Sequence, residues 1–150
     1  MQGVGFRPFV YRLARAHGLA GSVRNGPLGV VIEAEGDRAA IERFLDAVQA
    51  TPPPAARIQR TGVVWDGPSP VNSGRFVIDT SVRTGEPALF PSPDLTVCAA
   101  CLAELGDPGD RRHGYPLLNC TQCGPRYTII RALPYDRERT SMAAFAMCPA

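Results

Sequence analysis

The sequence predicts an α+β chain built in two parts. Three observations carry this reading. Residues 1–80 run in the order loop-α-β-β-α-β-β, the succession expected of helices packed on a sheet. Residues 81–94 keep no period of two or of 3.6 and are interrupted by prolines, which marks a linker. Residues 95–150 hold all five cysteines, four of them as Cys98-Ala-Ala-Cys101 and Cys120-Thr-Gln-Cys123.

The first element is a glycine loop, Gln2-Gly3-Val4-Gly5-Phe6, met directly after Met1. Arg7 to His17 reads as a helix, because Phe9, Val10, Leu13 and Ala14 recur at helical spacing. Pro8 suits the first turn, where its missing N–H costs nothing, and Gly18 supplies the stop. Residues 19–25 read as a strand, Gly26-Pro-Leu-Gly29 as a turn, and Val30 to Glu35 as a second strand. In that second strand Val30, Ile32 and Ala34 oppose Val31, Glu33 and Glu35. Asp37 is placed to cap the next helix, which runs to about Gln49 with Ile41, Phe44, Leu45 and Val48 on one stripe. Thr51-Pro-Pro-Pro54 ends it. Residues 57–65 read as a third strand ending at Trp65, and Gly74 to Thr80 as a fourth, with Phe76 and Ile78 on one face.

Composition narrows the classes. The chain has 150 residues, is 45% hydrophobic and 20% charged, and so is globular. A net charge of +2 is too small to mark a nucleic-acid or membrane surface. All 16 basic residues are Arg, which abundant Ala, Gly and Pro explain as base composition. No apolar run reaches the roughly 18 residues a membrane span needs, and no secretory leader opens the chain. The expectation is a cytoplasmic protein, in which cysteines serve as metal ligands or thiols before disulfides.

The glycine loop has a chemical use beyond turning. A loop whose N–H groups point inward, running into a helix N-terminus, makes an anion socket. Arg7 stands at its rim with a planar fork of donors matched to phosphoryl oxygens. A Gly-x-Gly alone is weak evidence, since a surface turn beside an arginine explains it equally. Asn25 adds to it: the strand it closes follows the helix after one short turn and returns beside the loop. Its amide, donor and acceptor at once, can orient a water. Socket, Arg7 and Asn25 suffice for hydrolysis of an acyl phosphate, whose carboxylate or carbamate leaves without a strong general acid. His17 lies at the far end of the helix and reads as a cap or surface residue.

Gln2-Gly-Val-Gly-Phe-Arg7, together with Gly21-Ser-Val-Arg-Asn25 and Glu33-Ala-Glu-Gly36, resembles the acylphosphatase family. The resemblance implies a ferredoxin-like α/β sandwich, with Arg7 binding phosphate and Asn25 orienting water. The family's first strand, central in its sheet, has no counterpart here. The expectation is a chain whose start has been lost, or one whose neighbour supplies that pairing.

The two CxxC pairs stand 18 residues apart, a spacing that marks a zinc site. Cys98, Cys101, Cys120 and Cys123 are the candidate ligands. Four thiolates leave no open position, so the metal is a structural staple. A thioredoxin-like redox pair lacks its βαβ setting, and His113 is displaced by better-spaced sulfurs. Cys148 is left as a candidate ligand of an incomplete second site, where Cys148-Pro-Ala150 stops short of a third CxxC. From 95 to 150 six Arg face five carboxylates, a net +1, which argues against a phosphate-backbone grip.

Cys98-Ala-Ala-Cys-Leu-Ala-Glu-Leu105, Asp107-Pro-Gly-Asp-Arg-Arg112, Asn119-Cys-Thr-Gln-Cys-Gly-Pro-Arg-Tyr-Thr128 and Leu133-Pro-Tyr-Asp-Arg137 carry a second resemblance. With the first, it covers essentially the whole chain and is similar to the N-terminal part of the HypF family of hydrogenase-maturation carbamoyltransferases. It implies an acylphosphatase-like domain over 1–80, a linker over 81–94 and a zinc-finger domain over 95–150, truncated before a second finger. It also implies hydrolysis of carbamoyl phosphate to carbamate and phosphate. Domains beyond this chain would adenylate the carbamate with ATP and pass the carbamoyl group to HypE. The alternative class is a catalytically inactive, zinc-stabilised interaction module.

Overall fold

The computed structural model describes residues 4–26, 29–67, 74–81, 95–120, 122–123, 127–133 and 135–145. They fall into two compact units, Phe6–Leu89 and Met1–Gly5 with Phe90–Ala150.

In the first unit, α1 (Phe6–Ala16) opens the fold. Pro8 is its third residue, within the turn whose N–H groups have no intrahelical acceptor. Gly18 takes φ 68° and ends the helix in a Schellman arrangement: Leu19 N–H reaches Ala14 O at 3.0 Å and Gly18 N–H reaches Arg15 O at 3.1 Å. His17 is half-buried rather than a free surface or capping group. Its ring stands edge-on to Phe44, with centroids 6.3 Å apart.

The chain then forms β1 (Ala20–Gly26) and β2 (Gly29–Glu35), paired antiparallel from Ala20↔Glu35 to Gly26↔Gly29. Within this hairpin Gly21 is required. A Cβ there would lie 2.0 Å from Glu33 O, and φ is 131°. β2 alternates as expected, with Val30, Ile32 and Ala34 turned to the core and Val31 exposed. α2 (Arg38–Ala50) follows, burying Ala40, Phe44 and Val48. Asp37 occupies its N-cap position, but the expected side-chain cap is not made. Only the Asp37 backbone carbonyl engages the helix, accepting from Ala40 and Ile41. At the other end Thr51 closes the helix through its N–H and its hydroxyl, both on Ala47 O.

Two expected strands differ from the structure. Residues 57–65 form no strand; the whole stretch is exposed. Strand-like alternation becomes a strand only when a partner accepts its backbone bonds. The described sheet has the order β2-β1-β3 and offers this stretch no neighbour. Trp65 is instead held to α2, with the Arg38 guanidinium 4.8 Å above its ring. The fourth expected strand shortens to β3 (Phe76–Ile78), parallel to β1 in the register Gly21↔Phe76 to Val23↔Ile78.

Both helices pack on one face of this sheet, around Val10, Ala14, Leu19, Val23, Phe44, Val48 and Phe76. Burying a side chain such as Phe44 contributes about 1.5–3 kcal/mol. The result is a two-layer α/β sandwich.

The second unit has one helix, α3 (Ala99–Gly106), among its described residues, followed by loops and single 3-10 turns. Its loops are tied locally. Arg112 Nη1 meets Glu104 Oε2 at 2.7 Å, and Gly114 N–H returns to Leu105 O at 3.0 Å. Asp107 and Asp110 each accept a backbone N–H two residues on, from Gly109 and Arg112. Farther along, Ile130 bridges Thr140, whose buried hydroxyl donates to Arg137 O and accepts from Met142 N–H. The expected linker lies outside the described residues, except Ser81.

Candidate active site and metal centre

The first candidate site grows from the α1-β1 connection. α1 spans about 16 Å at 1.5 Å per residue, and β1 about 23 Å at 3.3 Å per residue. The tight turn at Gly18 folds the strand back against the helix, so the start of α1 and the end of β1 share one edge of the layer. Arg7 lies in the first turn of α1, and Asn25 is next to last in β1. Asn25 is 4% exposed. It lies two residues beyond core residue Val23, hence on the helix-covered face of β1.

Ser81 meets the Arg7 side chain. Arg7 Nη1 donates to Ser81 Oγ at 3.3 Å. β3 runs parallel to β1, and Asp79 N–H still bonds Val23 O at 2.9 Å. The chain past β3 therefore travels toward Asn25 and brings Ser81 to the same edge. Ser81 carried no signal in the sequence. It stands 74 positions from Arg7 at the start of an aperiodic stretch.

The loop before α1 is described only in part. Val4 is buried, Gly5 has φ 73°, and Phe6 begins the helix. Gln2 and Gly3 lie outside the described residues. Glu33, part of the acidic stretch after β1, pairs across from Ser22 and takes Arg24 Nη2 at 2.9 Å. It belongs to the face of the sheet opposite Asn25.

The second site is made of sulfur. Cys98 is the N-cap residue of α3, and Cys101 lies in its first turn. Cys120 and Cys123 form a turn in which Gln122 N–H bonds Cys120 Sγ and Cys120 N–H bonds Cys123 Sγ, each at 3.3 Å. All four Sγ atoms lie within 4.8 Å of one another. Cys98–Cys120 is 3.6 Å, Cys101–Cys123 is 4.0 Å and Cys120–Cys123 is 3.8 Å. A Zn–S bond of about 2.3 Å gives a tetrahedron with edges of about 3.8 Å. These three separations match the edges of such a tetrahedron, so the four cysteines could hold a zinc ion.

Electrostatics suit a cation there. The Cys98 thiol is held below its ordinary value, first by the Cys101 backbone N–H and then by the Cys101 and Cys120 side chains. Burial, with hydrogen bonds from the other three cysteines, pushes the Cys101 thiol up to about 12. Four thiolates crowded this closely need a positive charge between them. His113 is exposed and stands outside the sulfur group. Cys148 lies outside the described residues.

A two-layer α/β sandwich followed by a cluster of four cysteines defines an acylphosphatase fold followed by a zinc finger. The acylphosphatase family matches residues 1–78 and the HypF finger family matches residues 97–130, and the chain belongs to the acylphosphatase family. The pairing of the two, in this order, is that of the HypF carbamoyltransferases. Carbamoyltransferase HypF2 of Cupriavidus necator is 48% identical over 148 residues, covering 99% of this chain and 18% of that protein. Carbamoyltransferase HypF of Synechocystis is 49% identical over 146 residues, 97% of this chain and 18% of that protein. A full-length HypF crystallised in a phosphate- and nucleotide-bound form superposes with a TM-score of 0.87 at 43% identity, over 99% of this chain and 19% of that one. The chain therefore spans about a fifth of the length of the relatives it matches. No helix among the described residues is long and apolar enough to cross a membrane.

Proposed function

We propose that this chain hydrolyses carbamoyl phosphate to carbamate and phosphate. This would be the first step of carbamoyl transfer to a HypE-type partner in nickel–iron hydrogenase maturation, in the cytoplasm. What supports the reading is the place of Arg7 in the first turn of α1, and of buried Asn25 near the end of β1, the strand that follows that helix. The Arg7 fork binds two phosphoryl oxygens, and the loop Gln2 to Phe6 keeps its sequence-based role as a source of backbone donors. The Asn25 carboxamide holds a water in line with phosphorus. The water oxygen bonds to phosphorus as the P–O bond to the carbamoyl group breaks. Carbamate departs with the electron pair, and both protons of the water stay with the phosphate product. Adenylation with ATP and transfer to HypE fall to other parts of a longer enzyme.

The acylphosphatase-like domain is assigned to 1–80, the linker to 81–94 and the zinc-finger domain to 95–150. Cys98, Cys101, Cys120 and Cys123 hold one structural Zn²⁺, which takes no step in the hydrolysis. Cys148 is left for a second site. Phosphate release from carbamoyl phosphate above the uncatalysed rate, lowered about 10²-fold in Asn25→Ala, supports this function. A chain that binds partner protein but releases no phosphate is the inactive interaction module instead.

A further inference from the structure

We propose that Ser81 is a positioning residue for Arg7, and through it for the phosphoryl group. This deepens the function proposed above and rests on its reading of Arg7. An arginine side chain has several rotatable bonds, and ordering it on substrate binding has an entropic cost. An acceptor that engages it beforehand removes part of that cost. The Ser81 hydroxyl is such an acceptor, 3.3 Å from Nη1. One of five guanidinium donors is thereby used to set the plane of the fork.

The backbone delivers that hydroxyl by register. The parallel ladder ends at Val23↔Ile78, and the Asp79 N–H to Val23 O bond carries the alignment one residue further. Thr80 N–H then bonds its neighbour's carboxylate, Asp79 Oδ1, at 2.7 Å. Ser81 follows at once, opposite the Asn25 end of β1. The third strand of the sheet, short as it is, thus has a chemical role: it brings an oxygen to the edge where Arg7 stands.

The test measures inorganic phosphate affinity by ³¹P NMR titration in wild type, Ser81→Ala, Ser81→Thr, Arg7→Ala and the Ser81→Ala/Arg7→Ala pair. Amide spectra report whether each remains folded. The Arg7 Nε–Hε resonance reads the guanidinium directly. Ser81→Ala is expected to weaken phosphate binding about three- to tenfold, the loss of one hydrogen bond to a charged group. Ser81→Thr should restore it to within about twofold, since the acceptor returns. In the Arg7→Ala background Ser81→Ala should change nothing, because coupled residues are not additive. The Arg7 Nε–Hε signal should shift in Ser81→Ala and return in Ser81→Thr. Wild-type affinity in Ser81→Ala, or an equal loss with and without Arg7, overturns the role of Ser81 while Arg7 keeps its own. Unchanged affinity in Arg7→Ala instead removes the reading of Arg7, and this inference with it.

Discussion

Cys98 Sγ stands 3.6 Å from Cys120 Sγ, although 22 residues separate them. With both sulfurs as thiolates, that closeness costs free energy unless a cation lies between them. We therefore expect about one zinc per chain by elemental analysis. Cys120→Ser should lower the zinc content, and a strong chelator should remove the metal and abolish the near-native amide spectrum of 95–145. Full dispersion of those resonances in a metal-free sample would count against a zinc-built unit.

The hairpin makes its own prediction. Gly21→Ala sets a Cβ against Glu33 O in a left-handed backbone. Crowding of this kind costs about 1–3 kcal/mol. Urea unfolding should show a lower midpoint by that amount, with the slope unchanged. A midpoint equal to wild type would mean that β1 and β2 lie farther apart than described.

Asn25 should act on turnover and not on affinity. If its amide aims a water, Asn25→Ala lowers kcat by about 10²-fold and leaves KM nearly unchanged. Steady-state phosphate release measures both. A rise in KM at constant kcat would assign Asn25 to binding the phosphoryl group.

Much of the fold could be read from residue order, and the failures have a common cause. α1 and α2 were legible because Val10 and Ala14, or Phe44 and Val48, repeat at helical spacing whatever surrounds them. The hairpin was legible through its glycines and the alternation of Val30, Ile32 and Ala34. Residues 57–65 misled because alternation states a preference, and only a neighbouring strand realises it. Asp37 misled in a smaller way: the residue type and position suit a cap, but the side-chain rotamer makes none. Of the candidate metal ligands, the CxxC spacing named four cysteines, and the fold brings those four together. Which sulfur faces which is decided by the start of α3 and the turn at 120–123. Ser81 was invisible because its meeting with Arg7 depends on a parallel register formed across the whole unit.

The central claim is that the planar fork of Arg7 binds the phosphoryl group during its transfer to water. Phosphate release from carbamoyl phosphate, compared between wild type and Arg7→Lys at equal folded concentration, tests it most directly. The account predicts a fall in kcat/KM of at least about 10²-fold, since one ammonium cannot replace two parallel donors. A lysine variant that releases phosphate at the wild-type rate would contradict it.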